Sequence, residues 1–194
     1  MSRLRETWGR LFVYLRGLMK QTGTVKLISE NLVLRRFSPF DFPSALKWYR
    51  APSINKYFTA REQNTVIDTF KFVFGKLPKY KRADYYCWAI CAEGKMQGMI
   101  QAMPVKGNGK ARSLYFMINP KVTKRGYMTE AVKTVLQYLK EQGITRVFVS
   151  CDAENIASSR VIEKSGFTFY RRDIGSIHYK DGRVSDMLHY KMDF

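Results

Sequence analysis

Residues 126–142 constrain the fold more than any other segment. Met128, Val132, Val135, Leu136 and Leu139 recur at helical spacing on one face, and Gly143 stands where such a helix would stop. A helix with one apolar stripe must bury it against another layer of structure. The neighbouring sequence provides that layer. Residues 112–118 read as a strand ended by Asn119-Pro120, and residues 146–151 form a β-branched and aromatic strand.

Other elements extend the pattern. Residues 32–36 alternate as a short strand. Ser38-Pro39-Phe40-Asp41 reads as a helix start, with Ser as cap and Pro at the first position, and Pro43 makes that first turn irregular. A second helix is predicted over residues 63–76. Residues 85–92 and 96–105 form a hairpin about Glu93-Gly94-Lys95, and Gly107-Asn108-Gly109 makes the next turn. Residues 157–165 form a helix closed by Gly166. A last hairpin, residues 169–179 and 184–192, turns at Asp181-Gly182. The order predicts an α+β domain on a mixed sheet over residues 24–194. Residues 1–23 read as an added amphipathic helix. Leu4, Trp8, Leu11, Phe12, Leu15, Leu18 and Met19 lie on its stripe, and Arg3, Arg5, Arg10, Arg16 and Lys20 lie mostly off it.

A chain of 194 residues suits one domain of this kind. No apolar run reaches the roughly 18 residues of a membrane span, and the run 11–15 ends at Arg16, unlike a secretory signal. Cys87, Cys91 and Cys151 lack the spacing of a zinc site and read as buried free thiols, which predicts a cytoplasmic protein without a metal. The net charge of +18 disfavours polycationic substrates and favours an anionic ligand or partner. Residues 94–129 contain no acid but seven basic residues: Lys95, Lys106, Lys110, Arg112, Lys121, Lys124 and Arg125. A second acid-free run, residues 69–83, carries Lys71, Lys76, Lys79, Lys81 and Arg82. Such a run is either a solvated face or a partner site.

Two motifs point to chemistry. The turn from Asn119 to Gly126 leads into a helix N-terminus, where unpaired backbone N–H groups and the helix dipole bind phosphate. Gly126 would let a ligand approach the backbone closely. Further on, Asn155 and Gly166 cap a short helix. Together these stretches resemble the GNAT superfamily of N-acetyltransferases, in its ribosomal-protein N-terminal acetyltransferase-like branch. The likeness rests on Leu32-Val33-Leu34-Arg35-Arg36-Phe37, on Arg125-Gly126-Tyr127-Met128-Thr129-Glu130-Ala131, and on the run of Asn155, Ser158, Arg160, Val161, Glu163, Lys164, Gly166 and Phe167. It implies a mostly antiparallel central sheet flanked by helices. It also departs from the family's habit: Thr123 replaces Gln or Arg, Lys124 a second glycine, and Met128 a small residue that would leave room for the pyrophosphate unless Met128 points into the core.

The resemblance implies an acyl-CoA-dependent N-acyltransferase that uses acetyl-CoA as cosubstrate. An acceptor amine, on a protein N-terminus or a small molecule, would attack the thioester directly. The pyrophosphate would lie on Thr123, Lys124, Arg125, Gly126, Tyr127, Met128 and Thr129. The pantetheine arm would lie along Phe116, Met117 and Ile118, where that strand splays from the one over residues 146–151, with Asn155 and Ser158 beyond. Ser158 stands where the branch has a serine suited to protonate the thiolate. Ser113 replaces a glutamate common in relatives, and His178 stands where the branch has a glutamate before the final turn. A histidine, with an ordinary pKa of about 6.5, accepts a proton near neutrality. His189 alternates to the other side and is read as structural. Asp186 resembles a recurrent acid of the last strand, and Glu130 reads as a helix-start residue. Two alternatives stand beside the enzyme: a GNAT-fold module binding RNA or the ribosome through its basic surface, and an acyltransferase held at an anionic membrane surface by the N-terminal helix. That helix would otherwise dock on its own domain or on a second subunit, as in a homodimer.

Overall fold

The structure is a computed structural model that describes residues 23–57 and 65–194. The helix expected over residues 1–23 therefore lies, but for Gly23, outside the described residues. Eight strands form one sheet: β1 (Leu27–Ile28), β2 (Val33–Arg35), β3 (Tyr86–Ala92), β4 (Lys95–Val105), β5 (Asn108–Ile118), β6 (Arg146–Asp152), β7 (Thr168–His178) and β8 (Val184–Asp193). Their spatial order is β1-β2-β3-β4-β5-β6-β8-β7. β5 and β6 run parallel, and the other described neighbours run antiparallel. The helices are α1 (Phe42–Trp48), α2 (Pro52–Asn55), α3 (Val66–Phe74), α4 (Tyr127–Glu141) and α5 (Ile156–Lys164). This is the mixed, mostly antiparallel sheet flanked by helices that the sequence predicts.

Local chemistry sets the helix starts. Asp41 accepts from the Ser38 N–H at 2.8 Å and Ser38 Oγ accepts from the Phe40 N–H at 3.3 Å. This box opens a 3-10 turn, Pro39–Asp41, and the α-helix follows from Phe42, which is the irregular entry that Pro43 predicts. Thr65 and Asp68 form a second box at the start of α3. That helix is shorter than the stretch predicted over residues 63–76, because the cap at Thr65 sets its start.

The helices divide between the two faces. Met128, Val132, Val135, Leu136 and Leu139 of α4 and Ile162 of α5 pack on Leu34, Trp88, Ile90, Ile100, Leu114, Val147 and Val149. On the opposite face, Ala45, Trp48 and Tyr49 with Phe72 and Val73 cover Cys87, Ala89, Cys91 and Met99. Buried apolar side chains of this size contribute roughly 2 kcal/mol each. Over β6, β8 and β7 that second face has no described helix upon it, and Phe148, Ser150, Tyr170 and His189 lie there. Two elements escaped the sequence reading, β1 and α2, with two and four residues; segments so short hold no full period. β5 begins at Asn108, earlier than predicted, and its Arg112 is buried, donating to the carbonyls of Gly109 and Ala111 at 2.9 and 2.8 Å. The acid-free run over residues 94–129 is therefore not one continuous basic face.

Candidate active site

The site begins where β5 and β6 part. Their pairing runs from Ala111↔Arg146 to Leu114↔Val149 and goes no further. Beyond it, among the described residues, Tyr115, Phe116, Met117 and Ile118 pair only with β4, and Ser150, Cys151 and Asp152 pair only with β8. The facing edges of the two strands thus have backbone groups free to meet a ligand. Phe116 and Ile118 pack toward α4, and Met117 packs toward the opposite face. Gly98 lets β4 approach closely behind this segment, since a Cβ there would come 2.5 Å from the Met117 carbonyl oxygen.

At the end of β5 the chain makes a 3-10 turn, Pro120–Val122, and enters α4. Lys124 and Gly126 both take left-handed backbone, with φ of 66° and 82°. Among the described residues nothing accepts from the backbone N–H groups of Gly126, Tyr127, Met128 and Thr129. An ideal Cβ on Gly126 would meet nothing within 4 Å, so the space over these donors is open. This cradle fits a pyrophosphate through a row of N–H groups at a positive helix end. Met128 is buried and points into the core, which settles the alternative left open by its size. Arg125 turns instead to Glu93 at 3.1 Å, and the Thr123 hydroxyl donates to the Pro120 carbonyl at 2.9 Å. The exposed Lys124 side chain remains beside the cradle. Glu130 accepts from the Asn31 backbone and side chain at 2.8 and 3.1 Å, tying α4 to the sheet's edge.

On the other side of the gap, Asn155 Oδ1 accepts from the Ser158 N–H at 3.2 Å and caps α5. Ser158 is half-buried on the first turn, and its hydroxyl makes no hydrogen bond among the described residues. The two motifs thus flank one opening: the cradle follows β5, and Asn155 and Ser158 follow β6.

The far end of β6 holds residues that the sequence reading missed. The Asp152 carboxylate is 5% exposed. It accepts from Ser185 Oγ at 2.7 Å and the Glu154 N–H at 2.6 Å, and from the Tyr179 hydroxyl. Burial, then the bond to Asp152, pushes the Tyr179 phenol well above its ordinary range. Tyr57 donates to the Glu154 carbonyl at 3.2 Å, and Arg183 to the Lys56 carbonyl at 2.9 Å, so the segment after α2 crosses this end. The only advance signal was the position of Asp152 beside the Asn155 motif. His178 lies exposed at the end of β7, opposite Val184, with no side-chain hydrogen bond among the described residues. Asp186 accepts from the Gly175 N–H and Arg172 Nε, both at 2.7 Å, and so braces the irregular stretch of β7.

Among the described residues no group of His, Cys, Asp or Glu is arranged to hold a metal ion, and no helix is long and apolar enough to cross a membrane. Cys87, Cys91 and Cys151 are buried free thiols. Of the second basic run, Lys71, Lys79, Lys81 and Arg82 are exposed. Lys76 lies over the Phe37 and Phe72 rings at 5.6 and 5.3 Å, and burial lowers its pKa.

Known proteins resemble this chain in sequence or in fold. YnaD of Bacillus subtilis (strain 168), described as an uncharacterized N-acetyltransferase, is 38% identical over 52 residues, or 26% of this chain and 31% of that protein. The match therefore spans less than a third of that relative. A GNAT-family acetyltransferase from Bacillus anthracis superposes with a TM-score of 0.75 at 24% identity, over 87% of this chain and 98% of that one. RimL, a ribosomal L7/L12 alpha-N-protein acetyltransferase in complex with coenzyme A, superposes with a TM-score of 0.77 at 18% identity, over 88% and 98%. These two likenesses are likenesses of fold. Residues 31–168 match the acetyltransferase (GNAT) domain family, so that the chain belongs to it.

Proposed function

We propose that the protein transfers an acetyl group from acetyl-CoA to a primary amine, with a protein N-terminus as the favoured acceptor. The observation that carries this reading is the open row of N–H groups from Gly126 to Thr129, set at the mouth of the β5–β6 gap. These donors would hold the pyrophosphate, with Lys124 adding charge. Thr123, Arg125, Tyr127 and Met128 shape the turn, and Asn155 orders the start of α5. The free edges of Phe116, Met117 and Ile118 would align the pantetheine arm beside the amine, and proximity supplies much of the rate. Ser158, with its hydroxyl unengaged, is assigned to protonate the departing thiolate. His178 is the base that the family resemblance suggests, and its exposed place at the hairpin end gives it a competitor in His189.

A protein acceptor is favoured because RimL acts on ribosomal L7/L12 and because a net charge of +18 suits a target held near RNA. The exposed cations of residues 71–82 favour a second reading, an RNA- or ribosome-binding role for the same cytoplasmic domain. The test is a screen of amines and N-terminal peptides with acetyl-CoA, reading released thiol, alongside RNA binding at several salt concentrations. Thiol release with at least one peptide supports the transferase. Steeply salt-dependent RNA binding without acetyl-CoA binding would replace it with the second reading.

A further inference from the structure

On the sheet face opposite α4, Ser150, His189 and Asp173 form a chain of hydrogen bonds across three strands. Ser150 on β6 is paired in register with His189 on β8. Ser150 Oγ lies 2.9 Å from His189 Nδ1, and His189 Nε2 lies 3.0 Å from Asp173 Oδ2 on β7. The carboxylate can only accept, so in the neutral ring Nε2 carries the proton and Nδ1 is left to accept from the Ser150 hydroxyl. Arg171, at 2.8 Å from Asp173, keeps that carboxylate oriented. The imidazole is mostly covered, its side chain 17% exposed, whereas Ser150 faces outward.

Position makes this chain more than a polar ladder. Ser113↔Phe148 is a pair on this same face, and Leu114↔Val149 is the last pair before the strands part. The next residues on the face, two further along each strand, are Tyr115 and Ser150, and they stand on opposite lips of the gap. Tyr115 lies near Tyr49. A thioester threaded through the gap from the α4 side would meet an amine arriving on this open face beside Ser150. His178 has no such surroundings.

We propose that Ser150, backed by His189 and Asp173, takes the proton from the acceptor ammonium; this rests on the acetyl transfer proposed above. One ammonium proton passes to Ser150 Oγ as the serine's own proton passes to His189 Nδ1. The imidazolium so formed is held by Asp173. The freed amine lone pair forms the C–N bond, the C–S bond breaks, and the second departing amine proton reaches the thiolate, directly or through Ser158. The imidazolium then releases its proton to solvent, so the balance is amide, free thiol and one proton. Ser150 touches the substrate and is the catalytic residue; His189 and Asp173 act through it and position it. The charged groups facing the imidazole are Asp173 and Arg171 on β7 and Lys191 on β8, which is 3.7 Å from Asp193. From β6 it meets Ser150, with Phe148 behind, and Tyr170 lies 6.1 Å away, ring to ring.

The chain has two histidines, so His178→Gln leaves one imidazole to observe by nitrogen NMR in the full-length protein. The expected form is protonated at Nε2 only, and Asp173→Asn should lose that preference; an Nδ1–H tautomer in the wild-type relay overturns the proposal. In turnover, His189→Gln should lower kcat about 100-fold at neutral pH and remove the acid-side fall of the wild-type profile, with acetyl-CoA affinity unchanged. The deficit should shrink at high pH, where the acceptor is already neutral. Ser150→Ala removes an exposed hydroxyl and its bond to His189 Nδ1, and should lower kcat similarly while moving the melting temperature little. Unchanged kcat and acid limb in both variants, with acetyl-CoA still bound, overturn the relay alone. A wild-type protein that binds no acetyl-CoA fails the functional reading and takes the relay's role with it.

Discussion

Replacing Gly126 by Asp tests the phosphate cradle directly. In the free protein the change should cost little, because an added Cβ meets nothing within 4 Å. The remaining cost is backbone strain: φ is 82°, and a side-chain-bearing residue in left-handed backbone loses about 1 kcal/mol. Binding is another matter. A carboxylate about 5 Å from a pyrophosphate of two negative charges, at an effective dielectric of about 60, adds roughly 2 kcal/mol of repulsion. That weakens acetyl-CoA about 30-fold. Gly126→Ala shares the strain and lacks the charge, so its affinity should fall only a few-fold. Both variants should melt at similar temperatures, and the gap between their affinities should narrow in about 1 M salt, where the Debye length is about 3 Å. Calorimetric titration with acetyl-CoA reads each quantity. Wild-type affinity in Gly126→Asp would refute the placement of the pyrophosphate on this turn.

Ser158→Ala should lower kcat at least about 10-fold while leaving acetyl-CoA affinity unchanged, if the hydroxyl acts only as the thiolate departs; wild-type kcat in a thiol-release assay would remove it from the mechanism. Gly98→Ala forces a Cβ to within 2.5 Å of the Met117 carbonyl oxygen and 3.1 Å of Ile118 Cα. Urea unfolding should show a loss of about 2 kcal/mol, and acetyl-CoA binding should weaken because β5 shifts. The Asp186 carboxyl is held below its ordinary range, first by the Gly175 N–H and then by Arg172. A lowered folded pKa means stability that is full above the ordinary carboxylate range and is lost as pH falls through the folded value. Asp186→Asn should therefore melt lower than wild type at pH 7 and alike in strong acid; a gap that persists in acid would mean that the charge is not its source.

Much of the fold was legible because local patterns agree with the global one. The stripe of α4, the turns at Gly94 and Gly182 and the caps at Ser38, Asn155 and Gly166 are each written within a few residues, and the structure keeps them; the turn predicted over Gly107-Asn108-Gly109 lies instead at Lys106-Gly107, with Asn108 already in β5. The phosphate turn was legible for the same reason: a strand, a glycine and a helix start are contiguous. The sequence could not say whether Met128 meets the ligand or the core, nor that Arg112 is buried, since both depend on what packs against them. Nor could it find the Asp152 network or assemble Ser150, His189 and Asp173. Those three residues lie on three strands, up to 39 positions apart for the Ser150–His189 bond. Sheet register, fixed by nonlocal pairing and by which face the pleat presents, brings them together at the place where β5 and β6 separate.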